Sequence, residues 1–247
     1  MLDKKSPIPV YYQLREILKE KIVSGEWTPG TMIPSERELS ELYKISRMTA
    51  RQALGELTRE GVLYREQGKG TFVAEPKMQQ ALTSLTSFSD DMQTRGKRSG
   101  GEVLRLELVP APVRVLGCLE MAPDQKVVLL ERLRMSEGEP IALESNFLNF
   151  PNVQELLSEN FENSSLYKLL SSKYGIIPTR AQQQVEADLS SPREQELLKI
   201  ATGAPILRNR RLTFDQNGKV FEYTESAYRA DRYIFYVELD ASKEVIL

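Results

Sequence analysis

The sequence contains no histidine, one cysteine and one tryptophan among 247 residues. Without histidine there is no Ser-His-Asp triad, no Cys-His dyad and no histidine-ligated metal. With Cys118 alone, an intrachain disulfide and a cysteine-rich zinc site are excluded too. No apolar run approaches the roughly 20 residues that span a bilayer. The opening Met1-Leu2-Asp3-Lys4-Lys5 runs into Pro7 and Pro9 without the apolar core of a signal peptide. The expectation is a cytoplasmic protein with no membrane partner, no cofactor, no metal and no catalytic residues.

A dominant charge of one sign is also missing. There are 33 basic and 35 acidic side chains, for a formal charge of -2. Residues 1–75 hold 12 basic and 11 acidic groups, and residues 76–247 hold 21 and 24. That asymmetry is too small to mark a nucleic-acid partner, so any such signal must be local.

The content is that of a folded protein, with 40% hydrophobic and 28% charged residues. The length allows one large domain or two smaller ones. Its character changes at Glu75-Pro76-Lys77-Met78-Gln79-Gln80, where Pro76 has no N–H to donate and disfavours helix before it. Three parts are expected: a first domain over 1–75, a linker over 76–84 and a second domain over 85–247.

In the first part, Val10, Leu14, Ile17, Leu18 and Ile22 recur at helical spacing, which predicts a helix over about 8–24 with Gly25 as its stop. Ser35-Glu36-Arg37-Glu38 matches a capping box and opens a short second helix with Leu39 and Leu42 on its core face. Ser46 caps a third, with Met48, Ala50, Ala53, Leu54 and Leu57 as buried positions and Gly61 at its end. Two helices joined by a tight turn suit a helix-turn-helix. The third helix exposes Arg47, Thr49, Arg51 and Gln52 in its first turns. From Leu42 to Gly55 there are three basic residues and no acidic one, which is the local signal the global charge lacks. Arginine makes paired hydrogen bonds to guanine, and glutamine to adenine. After Gly61 the period changes to two, and Val62–Arg65 and Thr71–Val73 read as strands around Glu66-Gln67-Gly68-Lys69-Gly70. The glycines permit tight backbone geometry, and Lys69 sets a cation at the tip.

Ile33-Pro34-Ser35-Glu36-Arg37-Glu38-Leu39, Ser46-Arg47-Met48-Thr49-Ala50-Arg51-Gln52-Ala53-Leu54, Glu60-Gly61 and Gly68-Lys69-Gly70-Thr71-Phe72-Val73 resemble the winged helix-turn-helix of GntR-type bacterial transcription regulators. The resemblance covers about 8–74. It implies operator contacts by Arg37, Arg47, Arg51 and the wing glycine, for which Gly68 and Gly70 are the candidates. Ser35, Thr49, Gln52 and Lys69 complete the candidate DNA-binding set. Arg47 is the candidate for guanine readout, and Arg37 for a phosphate. Ser35 is already explained by its capping role.

The second part carries strand-like runs near 102–110, 126–135, 140–149, 180–189, 205–215 and 219–229, with helical stretches near 85–95, 112–119, 153–158, 164–173 and 192–199. Gly138 and Gln216-Asn217-Gly218 read as hairpin turns. An α+β domain with a largely antiparallel sheet follows. Arg132 and Arg134 share one strand face, because side chains alternate. Glu144 shares a face with Ala142 and Asn146, and either binds a ligand or pairs across strands with an arginine. Asn163-Ser164-Ser165-Leu166-Tyr167 and Thr86-Ser87-Phe88-Ser89-Asp90-Asp91 each open a helix.

The run from Leu82 to Gly96, with Glu131-Arg132-Leu133-Arg134, Leu143-Glu144-Ser145, Ser164–Leu170 and Tyr228–Tyr233, resembles the UTRA effector domain of the HutC subfamily. That resemblance covers about 82–238 and implies a chorismate-lyase-like fold used for binding. Within the subfamily the likeness is to regulators of amino-sugar utilisation. It implies a phosphorylated sugar as effector, with glucosamine 6-phosphate and N-acetylglucosamine 6-phosphate the named candidates. Arg132, Arg134, Ser89, Ser164, Ser165 and Tyr167 suit a phosphate. Glu144 and Tyr228 suit sugar hydroxyls or an amine, and Phe88 completes the candidate effector site.

The expected function is a one-component transcription repressor that binds an inverted-repeat operator in double-stranded DNA as a homodimer and responds to that effector. The subfamily recognises diverse molecules, so a non-sugar effector is the alternative. A lyase-like enzyme is disfavoured by the missing nucleophile–base pair. A purely architectural DNA protein would leave the second domain idle.

Overall fold

The computed structural model describes residues 2–162 and 164–240. The chain divides into two compact units between Lys77 and Met78.

In the first unit, α1 (Val10–Val23) buries Leu14 and Leu18. Helix α2 (Glu36–Tyr43) starts at the predicted capping box: Glu38 N–H donates to Ser35 Oγ at 3.3 Å, and Ser35 N–H donates to Glu38 Oε2 at 2.8 Å. The turn after α2 is set by Lys44 in the left-handed region, φ 52°, and by Ser40 Oγ donating to the Ile45 carbonyl at 2.6 Å. Helix α3 (Arg47–Arg59) is capped by Ser46, whose Oγ accepts from Thr49 N–H at 3.0 Å. It buries Ala50, Ala53, Leu54 and Leu57, and the two alanines leave little bulk between α3 and the helices packed on it.

Two residues expected in this core lie outside it: Leu42 is 67% exposed and Met48 69%. At 3.6 residues per turn the buried stripe of α2 runs from Leu39 to Tyr43, which turns Leu42 away. Met48 lies two residues before Ala50, about 200° around α3, on the opposite side.

Strands β1 (Leu63–Glu66) and β2 (Gly70–Val73) pair antiparallel, with Leu63 opposite Val73. The segment 30–33 lies along β2: Gly30 N–H donates to the Val73 carbonyl, Val73 N–H to that of Thr31 and Ile33 N–H to that of Thr71, each at 2.9 Å. This is a helix-turn-helix with an attached wing.

The second unit is built on a six-stranded antiparallel sheet in the order β4-β5-β6-β9-β8-β7. Its strands are β4 (Ser99–Pro110), β5 (Lys126–Ser136), β6 (Glu139–Leu148), β7 (Arg180–Leu189), β8 (Pro205–Phe214) and β9 (Val220–Arg229). The β5–β6 turn places Glu137 and Gly138 both at positive φ, 50° and 83°, as a two-residue type I′ hairpin requires. Helices α4 (Phe88–Thr94), α5 (Val113–Cys118), α6 (Leu166–Leu169) and α7 (Pro192–Leu198) pack around the sheet. A 3-10 turn spans Val153–Ser158, and a π turn, Leu170–Tyr174, extends α6. On one face Val128, Leu130, Leu148, Phe161, Leu166, Leu170 and Phe221 form an apolar core; Val115, Leu119, Val127, Leu129 and Phe147 form another under α5. Asn163, read above as part of a helix start, lies outside the described residues.

The stretch expected as a linker over 76–84 is partly ordered. Strand β3 (Met78–Ala81) pairs in parallel with β10 (Tyr233–Tyr236). Four residues without a β-branched side chain carry little strand signal. The pairing depends instead on a partner 155 positions away and on Tyr233, whose hydroxyl lies 2.9 Å from Gln80 Oε1 and 3.0 Å from Asp91 Oδ2. No helix among the described residues is long and apolar enough to cross a membrane.

Candidate functional site: a basic helix face and a polar pocket

On the first unit, Arg47, Arg51 and Gln52 are exposed at the start of α3, with Thr49 half-buried beside them. Thr49 Oγ1 lies 2.8 Å from Ser46 Oγ, which ties it to the helix cap. The first turn of α3 contains no acidic residue. None of the Arg47, Arg51 and Gln52 side chains forms a hydrogen bond or ion pair among the described residues, so their donors face solvent. Arg37 differs, since its Nε lies 3.4 Å from Glu41 Oε1, one turn along α2. Lys69, 74% exposed at the wing tip, pairs with Glu66 at 2.9 Å. Such exposed pairs contribute little and exchange readily for a phosphate. Gly68 and Gly70 adopt φ of 76° and 144°, and a Cβ at Gly70 would lie 3.2 Å from Met32 Sδ. Ser35 is engaged in the capping box.

On the second unit, one sheet face carries a polar grid. Register aligns Arg132 with Glu144, Glu144 with Ser226, and Ser226 with Asn209 across β5, β6, β9 and β8. The next row aligns Asn146, Thr224 and Arg211. The segment 86–89 and Leu166-Tyr167 complete a pocket over this grid, and Gln80 of β3 also lines it. The space open to a water-sized sphere within it is only about 30 Å³, room for small solvent molecules rather than for a sugar. A sugar-sized ligand therefore enters only if a wall segment or the central ion pair yields.

Arg132 Nη2 donates to Glu144 Oε1 at 2.7 Å and to Asn146 Oδ1 at 3.4 Å. Burial would raise the Glu144 carboxyl, but Arg132 and then Arg134 outweigh it and hold it below the ordinary range. Arg134 is buried as deeply. Its Nη2 donates to Ser89 Oγ at 3.0 Å, and its guanidinium stacks 4.5 Å from the Phe88 ring. It forms no ion pair among the described residues. Burial, aided by Arg132, pushes its pKa down to about 10. The Nε atoms of both arginines are buried without a partner. Deeper in, Glu222 accepts from Tyr167 Oη at 2.7 Å, Thr213 Oγ1 at 2.8 Å and Asn146 Nδ2 at 2.9 Å. The wall thus holds three arginines against two glutamates. Among the described residues neither Arg134 nor Arg211 has a carboxylate within ion-pair distance, and Arg134 is the more deeply buried of the two, so an anion beside it would be held by charge-assisted hydrogen bonds.

The family models match in two blocks. Residues 10–73 match "Bacterial regulatory proteins, gntR family", and residues 94–234 match the "UTRA domain". The chain is 42% identical over 240 residues to the HTH-type transcriptional repressor NagR of Bacillus subtilis (strain 168), covering 97% of this chain and 98% of that protein. The chain belongs to the gntR family of bacterial regulatory proteins. It is a regulator with a UTRA domain, not an enzyme. It is also 34% identical over 210 residues to the histidine utilization repressor of Pseudomonas putida, covering 85% and 84% of the two chains. The crystal structure of PhnF from Mycobacterium smegmatis superposes with a TM-score of 0.64 at 29% identity, covering 95% of this chain and all of that one.

Within the regulator, the pocket brings together Phe88, Ser89, Arg132, Arg134, Glu144, Tyr167 and Tyr228. Ser164 and Ser165 stand at its margin. The Ser164 carbonyl lies 3.5 Å from Arg132 Nη1, and Ser165 caps α6 with its Oγ 3.2 Å from Ser87 Oγ. Sequence reasoning missed Gln80, Asn209, Arg211, Glu222, Thr224 and Ser226. On single strands these alternating polar residues look like a solvated face. Only the shared register of β6, β9 and β8 shows that the polar positions converge.

Proposed function

We propose that this regulator is a repressor that binds an inverted-repeat operator as a homodimer in the cytoplasm and is released by a phosphorylated sugar. Two relatives named as repressors support the sign of regulation. The exposed donors of Arg47, Arg51 and Gln52 support base contact by α3. Arg37, Lys69 and the wing glycines support contact with the backbone, each winged helix taking one half-site about a helical turn from the other. Arg134 carries the effector reading: among the described residues it is a buried guanidinium without a carboxylate partner, beside Ser89 and Arg132. A phosphate supplies the missing charge, while Glu144 and Tyr228 face the sugar.

Induction requires that the effector bind the DNA-incompetent arrangement more tightly, since equal affinity for both shifts nothing. The small enclosed space and the presence of Gln80 in the wall support this coupling. A ligand that opens the pocket acts on β3, the strand that begins just after Lys77.

The test is an anisotropy titration on inverted-repeat DNA selected by the full-length protein from a random pool. Glucosamine 6-phosphate or N-acetylglucosamine 6-phosphate should displace the protein, whereas the unphosphorylated sugars should not. At about a hundred times its dissociation constant an effector stabilises the protein by ~2.7 kcal/mol, an easily seen shift in melting. If free and phosphorylated sugars act equally, the phosphate reading falls. If neither acts and a non-sugar anion does, the effector belongs to another class.

A further inference from the structure

The phosphate-facing arginines occupy one side of the pocket. The opposite side holds two polar groups that nothing among the described residues satisfies. Asn209 on β8 and Ser226 on β9 are register partners, each 3% exposed, and both line the pocket. Asn209 Oδ1 and Ser226 Oγ are buried without a hydrogen-bond partner among the described residues. Leaving such groups unpaired is costly, and a bound partner accounts for keeping them. Three strand spacings separate β5 from β8 across β6 and β9, about 14 Å between backbones at ~4.8 Å each. A phosphate held at Arg132 and Arg134 does not reach across that distance, whereas a larger ligand lying along the row does.

We propose that Asn209 and Ser226 are the specificity determinants of the effector pocket, receiving a hydrogen-bonding substituent at the end of the ligand remote from its phosphate. The unpaired carboxamide oxygen of Asn209 takes an N–H or O–H donor, and the Ser226 hydroxyl completes the contact. The ligand class is therefore a sugar phosphate bearing an amide, amine or hydroxyl at its far end. This inference rests on the phosphorylated-sugar reading above.

The test is calorimetric titration of the full-length protein, Asn209→Leu and Ser226→Ala with inorganic phosphate, glucose 6-phosphate, glucosamine 6-phosphate and N-acetylglucosamine 6-phosphate. Both variants should bind the preferred sugar phosphate at least tenfold more weakly and inorganic phosphate as the wild type does. Their ligand-free melting temperatures should hold or rise, because an unsatisfied buried polar group has been removed. A fall in melting temperature with parallel loss of phosphate binding would assign the pair a structural role and overturn the proposal. If the wild type ranks the sugars and both variants keep that ranking and affinity, the proposal fails while the sugar reading stands. If the wild type binds no sugar phosphate better than inorganic phosphate, the sugar reading fails and this inference falls with it.

Discussion

Arg47 and Lys69 present cations of different kinds. Arg47 has no partner among the described residues, on a helix whose cap at Ser46 fixes its first turn. A planar fork held in this way suits a base edge. Arg47→Ala should cost about 1–3 kcal/mol of operator affinity and relax preference at one base position. A variant that bound selected and shuffled DNA with the wild-type ratio would remove the claim. Lys69 is a flexible point charge paired with Glu66 at an exposed tip. Lys69→Ala should weaken selected and shuffled DNA alike and reduce the salt slope by about one unit. Binding isotherms from 50 to 200 mM salt, on the order used for such slopes, check this. These charged positions were legible because the cap, the basic turn and the Gly-Lys-Gly tip are local chemistry. Met48 was not, because which side of α3 is buried depends on the helices packed against it.

At the scale of elements, β3 changes the account of the linker. It is held by β10 and by the Tyr233 hydroxyl, shared between Gln80 of β3 and Asp91 of α4. Gln80 faces the pocket, and α4 carries Ser89 against Arg134. Tyr233→Phe removes that hydroxyl while keeping the ring among Tyr228 and Phe235. The expected outcome is effector binding close to wild type with weakened release from DNA. Calorimetry and anisotropy on the same preparation separate the two, and unchanged release would exclude the hydroxyl from the coupling. A cross-link holding residues 75–84 rigid should uncouple effector from DNA for the same reason. The large strands and most helices were readable from period and turn chemistry. Strands β3 and β10 were not, being short segments that exist through each other.

For the whole molecule, the two units should respond differently to acid. Burial would raise the carboxyls of Glu131, Glu144, Glu194 and Glu225, but arginine partners outweigh it and leave each below its ordinary value. The partners are Arg193, Arg132 with Arg134, Arg208 and Arg114. A folded-state pKa below the unfolded one gives stability that is present above the unfolded value and lost as pH falls through the folded one. The unfolded value is 4.5 here, so the second unit should lose stability progressively below about pH 5. The single tryptophan, Trp27, packs against the core of the first unit. On acidification the circular-dichroism melt should fall further than the Trp27 fluorescence melt. Coincident transitions at every pH would mean that these carboxylates do not distinguish the units.

The sequence by itself determined the helix caps, the basic start of α3, the wing, the six long strand segments and the two arginines of β5. All are set by neighbours within a few residues or by a period of two. Tertiary structure decided what those arginines face. An alternating arginine on a strand is solvated or buried according to what covers the sheet, and here α4, Tyr167 and β3 cover it. It also decided that Asn209, Ser226 and Glu222 share a pocket with Arg132. Strands β5, β6, β9 and β8 are distant or reordered along the chain, and only their hydrogen-bonded register brings these side chains onto one wall.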